Sequence, residues 1–191
     1  MEVSLVDYPA YIQGLESTPW IGNAEASRAL VKVTRQGWAD EPNSHLLASK
    51  PLPHGLAGLT LRMSPSQVKA VLPGVQISDD GSDGVQSVDF RFSNGNKVGL
   101  MVFHNQLAVI WYEQHDVPPQ EFDKLRHRLL EQFGPTTAVS RVGPNETSPA
   151  WIGNEVILEY SFVPQDWREK GHLPYILARL EDRQLSDEYL V

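Results

Sequence analysis

The chain has 191 residues, of which 41% are hydrophobic, so it can bury a core in one globular domain with an extension. Its 24 acidic and 16 basic residues give a formal net charge of -8. This balance disfavours nucleic acid as a partner, because phosphate binding needs clustered lysine and arginine. The lack of cysteine excludes disulfides, thiolate catalysis and cysteine-ligated metal sites.

The N-terminus does not have the pattern of a signal peptide. Residues 1–8 include two acidic side chains where a signal peptide is basic, and no apolar h-region follows. No apolar run reaches the length of a membrane span. These features predict a cytoplasmic protein without a membrane span, or an envelope protein if the N-terminus has been processed.

An N-terminal arm is predicted over residues 1–57, with one helix and a linker. Asn23 can cap a helix over 24–36, and Gly37 provides its C-terminal stop. Residues 39–53 are rich in polar side chains and proline, which is typical of a linker. The arm either packs on its own domain or docks into a partner.

A short helix is the most clearly encoded element of the chain. Ser64 and Gln67 form a capping-box pattern, and Pro65 fills the first helical position, where its missing N–H costs nothing. Val68, Val71 and Leu72 then follow at the spacing of one buried stripe, and Pro73-Gly74 ends the helix.

Three segments with period-two alternation follow this helix. In the first, Val88, Phe90 and Phe92 alternate with polar residues, as in a strand with one buried face. Asn94-Gly95 is a typical type I′ turn sequence. Runs 97–104 and 107–113 complete a predicted three-stranded antiparallel meander.

A longer helix begins after Pro118-Pro119, with an apolar stripe that ends at Gly134-Pro135. The stripe consists of Phe122, Leu125, Leu129 and Phe133. Three more strands are predicted, over 137–142, 155–163 and 175–180. The order predicts an α+β domain over 58–191, in which two helix-plus-three-strand units form one antiparallel sheet with the helices on one face.

The segment GLTLRMSPSQVKAVL at 58–72, followed by a meander and then by Gln132-Phe133-Gly134-Pro135, resembles the helix-then-meander repeat of the BamE/SmpA-like and β-lactamase-inhibitor-protein-like superfamily. Members of that superfamily are generally non-enzymatic binding or assembly domains. The resemblance therefore implies a similar mode of action for this chain. Similarity of fold does not transfer a particular partner.

Two groups of side chains are candidates for chemistry. Glu113, His115 and Asp116 lie at the end of the third strand, and proximity of histidine to carboxylates is what general acid–base catalysis requires. An ordinary strand-end cluster is the alternative. A second group, at 123, 127 and 131, would share one helix edge and is better explained as a solvated helix face, so we predict no metal and no cofactor.

The aromatic residues favour binding over catalysis. Neighbouring residues of a strand face opposite sides, so a core on one side leaves large side chains on the other. Such a set forms either an apolar interaction patch or a surface covered by the arm. The candidate partner-binding residues are Met101, Phe103, Ile110, Tyr112, Trp20 and Leu30.

The leading hypothesis is a non-catalytic protein–protein interaction module that serves as an assembly component, adaptor or inhibitor. Its expected partner is another protein, and a homo-oligomer is also possible. The alternative is a small hydrolase or isomerase that uses the acid–base cluster of Glu113, His115 and Asp116.

Overall fold

The fold is α+β, with one antiparallel sheet and three helices in the chain segments that the computed structural model describes, residues 17–18, 47–78, 84–143, 146–163 and 175–190. The sheet has eight strands in the order β1-β4-β5-β6-β10-β9-β8-β7, and β2 and β3 form a separate hairpin. The strands are β1 Ser17–Thr18, β2 Gly55–Leu56, β3 Leu59–Thr60, β4 Val85–Arg91, β5 Lys97–Phe103, β6 Gln106–His115, β7 Ala138–Gly143, β8 Glu146–Ile152, β9 Val156–Val163 and β10 Tyr175–Asp182. The helices are α1 Pro65–Val71, α2 Pro119–Phe133 and α3 Arg183–Leu190.

The capping box predicted for the first helix is confirmed. The backbone N–H of Gln67 donates to Ser64 Oγ, and the Gln67 side chain accepts from the Ser64 backbone N–H at 2.8 Å. Pro65 occupies the first turn, and Val68 and Leu72 are completely buried. Local capping therefore fixes where α1 begins, and burial of its apolar stripe fixes how it packs.

We expect the Ser64→Ala variant to lose about 1 kcal/mol of unfolding free energy, because the Gln67 N–H would lose its side-chain acceptor. Urea denaturation of the whole protein measures this change. The matched control is Ser93→Ala, which makes the same chemical change at an exposed position in the loop between β4 and β5. Equal stability of the two variants would contradict a capping role for Ser64.

The meander is present, but its turns differ from the prediction. The predicted type I′ turn at Asn94-Gly95 is wrong, because only Gly95 takes a positive φ, 87°. The Phe92 carbonyl accepts from the Gly95 N–H, and the Phe92 N–H donates to the Asn96 carbonyl, so the loop has three residues with glycine at the bulge position. The two-residue turn with positive φ is His104-Asn105, at 48° and 59°.

The second half of the chain has more regular structure than the sequence indicated. Helix α2 and strands β7, β9 and β10 confirm predicted elements. Strand β8 and helix α3 were not predicted. Strand β8 contains Pro149, which removes a backbone donor and weakens the sequence signal of a strand.

The main core lies between the helices α1 and α2 and one side of the sheet, which we call the first face. Side chains from both helices belong to the same buried cluster as the inward residues of the strands. Its largest fully buried members include Phe90, Phe133 and Trp151. The Trp151 indole N–H donates to the Gly134 carbonyl at 2.9 Å, which ties β8 to the end of α2.

Residues 47–64, the described segment directly before α1, are joined to the domain. The Ala48 N–H donates to the Ile152 carbonyl at 2.7 Å, and Leu56 is buried in the main core. The boundary predicted after residue 57 therefore falls within the turn between β2 and β3. The predicted helix over 24–36 lies outside the described residues.

Candidate functional site

The side of the sheet opposite α1 and α2, which we call the second face, is divided into a closed apolar half and a half-open polar half. In the closed half, Met101, Phe103 and Val109 form a buried cluster with Leu185 of α3. In the half-open half, residues of β5, β6 and β10 are only partly buried. Both halves lie on the same strands, and α3 packs against the closed half through Leu185.

The candidate partner-binding residues do not share one face. Met101 and Phe103 lie on the second face, whereas Ile110 and Tyr112 belong to the main core on the first face. All four are buried, with exposed fractions between 0% and 7%. The remaining candidates, Trp20 and Leu30, lie outside the described residues.

A β-bulge explains why the strand pattern alone did not place these side chains. The register between β5 and β6 shifts between Met101 and Val102, so Met101 pairs with Val109 and Val102 pairs with Leu107. Ala108 is the extra residue on β6, and a bulge reverses the alternation on either side of it.

The half-open half contains three partly exposed apolar or aromatic side chains, which we call the aromatic patch: Trp111 on β6 and Tyr175 and Leu177 on β10. Sequence reasoning missed the two β10 residues. Their position depends on the pairing of β10 with β6, in which Leu177 lies opposite Glu113 and Tyr175 opposite His115. The periodicity within either strand does not predict how β6 and β10 pair with each other.

Charged and titratable side chains surround the aromatic patch. Glu113 Oε2 lies 3.4 Å from Lys97 Nζ and 3.4 Å from His115 Nε2. The His115 ring lies against Tyr175, with 5.3 Å between the ring centroids. Asp116 is exposed, takes a positive φ of 60° and lies beyond the end of β6. The structure thus brings Glu113 and His115 together and adds Lys97, which sequence reasoning had not included.

The position of His115 is fixed from the first face. Its backbone N–H donates to Asn96 Oδ1 at 3.1 Å, and Asn96 Nδ2 donates to the Tyr112 hydroxyl at 2.9 Å. His115 Nε2 is buried and makes no hydrogen bond among the described residues. His115 Nε2 faces the Glu113 carboxylate. This ring nitrogen is therefore shielded from solvent.

A second carboxylate lies at the edge of the same cluster. Asp89 Oδ1 would lie 3.0 Å from a Cβ atom at Gly99, so the missing side chain lets the carboxylate lie over β5. Partial desolvation raises the pKa of Asp89, the Glu113 carboxylate raises it further, and Lys97 and Arg91 oppose the shift.

We expect the Asp89→Asn variant to be more stable than the wild type at about pH 7, by about 0.5 kcal/mol. A carboxyl whose pKa is raised by folding favours the folded state when protonated, and this contribution is lost as the pH rises through the folded pKa. The advantage should disappear at about pH 3, below the ordinary pKa of aspartate, because protonated Asp89 has no charge to desolvate. Urea denaturation at both pH values, with Asp123→Asn on α2 as the control, measures it. An advantage that does not change with pH would contradict this account.

A buried ion network adjoins the aromatic patch. Arg179 Nη1 lies 3.6 Å from Glu159 Oε2, and Arg179 Nη2 donates to Glu181 Oε2. The three residues are between 0% and 6% exposed. The Arg179 guanidinium also lies 5.9 Å from the centre of the Trp111 ring, a cation–π distance. The network therefore contacts the aromatic patch at Trp111, through the Arg179 guanidinium.

Within the described residues, no group of three or more histidine and acidic side chains is arranged to hold a metal ion. The exposed helix edge at Asp123 instead has a local contact between His127 Nδ1 and the Asp123 carbonyl at 3.1 Å. In the part of the chain that the structure describes, no helix is both long and apolar enough to cross a membrane.

Comparison with protein-family models, with curated proteins and with solved structures finds no match for this chain. The side chains and their geometry are therefore the basis for the functional proposal.

Proposed function

We propose that the protein is a non-catalytic protein-binding module, which acts as an assembly component, adaptor or inhibitor of another protein, and that the aromatic patch is its binding surface. The observation that carries this proposal is the partial exposure of Trp111, Tyr175 and Leu177 on a face where Met101, Phe103 and Val109 are buried with Leu185. Tryptophan, tyrosine and arginine are enriched at the residues that dominate binding energy.

The surroundings of the patch fit this role. The aromatic side chains stand on paired central strands, so little conformational entropy is lost when a partner binds. Asp89 and Arg91 are exposed at the edge of the patch and offer both signs of charge for orientation and specificity. The net charge of -8 favours a partner with a basic surface.

The contacts made by Glu113 and His115 support a non-catalytic role for the acid–base cluster. The Glu113 carboxylate lies between Lys97 and His115, so a cation already neutralises it. His115 Nε2 is buried and faces this carboxylate. Since Glu113 is shared between a lysine and a histidine, the three side chains form an ion cluster at the end of the strand.

The proposal also covers the internal repeat, the N-terminal arm and the cellular location of the protein. We propose that α1 with β4–β6 and α2 with the later strands are two copies of one helix-then-meander unit, whose last strands β6 and β10 are neighbours in the sheet. The extra strand β8 is then an elaboration of the second unit. We further propose that residues 1–57 include a helical arm and that the protein acts in the cytoplasm.

Site-specific photocrosslinking in the native host tests the binding surface. A photoreactive amino acid at position 177 should form one stoichiometric adduct, whereas the same group at exposed position 126 on α2 should form none. Once the partner is identified and purified, Trp111→Ala should weaken its binding about tenfold or more. An adduct from position 126 alone, or wild-type affinity of the folded Trp111→Ala variant, would refute the patch.

One observation favours the alternative hydrolase or isomerase, namely the 3.4 Å approach of His115 Nε2 to Glu113 Oε2. The His115→Ala variant distinguishes the two functions. Loss of a turnover that the wild type catalyses, with unchanged binding, would support catalysis. Unchanged chemistry with altered partner affinity would support the binding module.

A further inference from the structure

The loop between β4 and β5 exposes an asparagine that is followed directly by glycine. In the whole sequence, Asn94 is the single asparagine with glycine as its next residue. Asn94 is exposed, and no atom outside residues 94–96 lies within 4 Å of the place where a Cβ atom of Gly95 would stand. Position 95 therefore has no side chain, and no packed neighbour beside its Cα, to obstruct approach to the Gly95 nitrogen once the loop opens.

A hydrogen bond fixes the direction of the Asn94 side chain. Its Oδ1 atom accepts from the Asn96 backbone N–H at 3.1 Å, which folds the side-chain amide back along the chain across Gly95. The same hydrogen bond draws electron density from the amide carbon Cγ. A bulky residue at position 95 would obstruct the approach, and the positive φ of 87° selects glycine there.

We propose that Asn94 is a site of spontaneous deamidation through a cyclic succinimide. The Gly95 nitrogen attacks Cγ of Asn94, the N–Cγ bond forms, the Cγ–Nδ2 bond breaks, and ammonia leaves with the proton that Gly95 gave up. Water then opens the ring at either carbonyl carbon. The products are aspartate, when the new N–Cγ bond breaks, and isoaspartate, when the original peptide bond breaks. No electron transfer occurs, and water is the only co-reactant.

The closed loop slows this reaction. The Gly95 N–H donates to the Phe92 carbonyl at 3.0 Å, and this hydrogen bond must break before the nitrogen can attack. The rate therefore depends on local opening of the loop rather than on unfolding of the domain.

The isoaspartate product would alter the candidate site. It adds one carbon atom to the backbone directly before Gly95, so the loop can no longer close with its present hydrogen bonds. Asn96 is the next residue, and its side chain anchors both the His115 backbone and the Tyr112 hydroxyl. Deamidation is thus expected to loosen the end of β6 that carries His115.

Peptide mapping of the whole protein tests the proposal. The protein is incubated at mildly alkaline pH in water enriched in heavy oxygen, and deamidation is followed at each asparagine by mass spectrometry. Asn94 should convert more than about tenfold faster than exposed Asn105 and Asn154, a difference in activation free energy of about 1.4 kcal/mol. The product should contain isoaspartate and one oxygen atom from the solvent.

Two variants keep the test decisive. Asn94→Gln should show no conversion at position 94, because its longer side chain forms the ring less readily. Asn94→Asp introduces the charge without the extra backbone carbon, and should stay more stable than the isoaspartate form isolated from aged wild type. Conversion of Asn105 or Asn154 before Asn94, or an acid product at 94 that contains aspartate but no isoaspartate, would overturn the proposal.

Discussion

The Trp151→Ala variant is expected to lose about 3 to 5 kcal/mol of unfolding free energy. Trp151 is 0% exposed and is the largest side chain among the fully buried ones. Its ring lies edge-on to Phe133 of α2, with 6.0 Å between the centroids. The substitution removes both this contact and the indole hydrogen bond to Gly134. Urea denaturation at constant m-value measures the loss.

Two further variants separate the causes of that loss. Trp151→Phe keeps most of the apolar volume but leaves the Gly134 carbonyl without its indole donor, and should cost about 1 to 3 kcal/mol. Trp111→Ala truncates a half-exposed tryptophan on the second face and should cost less than Trp151→Ala. If the two alanine variants were equally stable, the assignment of Trp151 to the main core would be wrong.

The sequence predicts the elements whose stability depends on near neighbours. The start of α1 depends on Ser64, Pro65 and Gln67, which lie within one helical turn. Their spacing in the sequence therefore determines the capping geometry directly. The alternation of Val88 and Phe90 with polar residues likewise determined the buried face of β4.

The sequence fails where distant strands or local irregularity decide the structure. The bulge at Met101 and Val102 moved Ile110 and Tyr112 to the first face, and no residue type marks that bulge. Strand β8 was missed because Pro149 and its polar neighbours do not look like a strand. Strand β8 is stabilised by its pairing with β9 and by the burial of Trp151. Both are interactions with other elements, which form only when the chain folds.

The candidate site was partly predictable for the same reason. Glu113 and His115 are two residues apart on one strand, and residues with that spacing share a face. Lys97 joins them because it lies opposite Glu113 across the β5–β6 pairing, and Tyr175 joins them because β10 pairs with β6. Both additions depend on strand register between segments that are far apart in sequence.

The Arg179→Ala variant is expected to lose about 3 to 5 kcal/mol, because it removes the guanidinium that pairs with two buried carboxylates, those of Glu159 and Glu181. Truncation of one partner leaves charges in a poorly solvated interior, which costs more than the ion pairs themselves contribute. Urea denaturation of the variant at about pH 7 should show this deficit.

A neutral version of the network distinguishes charge burial from lost packing. In the triple variant Arg179→Met with Glu159→Gln and Glu181→Gln, no buried charge of the network remains, so much of the lost stability should return. Arg91→Ala is the control, because Arg91 is exposed at the edge of the same face and should change stability by less than about 0.5 kcal/mol. A triple variant as unstable as Arg179→Ala would mean that Arg179 acts through its contacts with Trp111 and its neighbours, and that the paired charges contribute little.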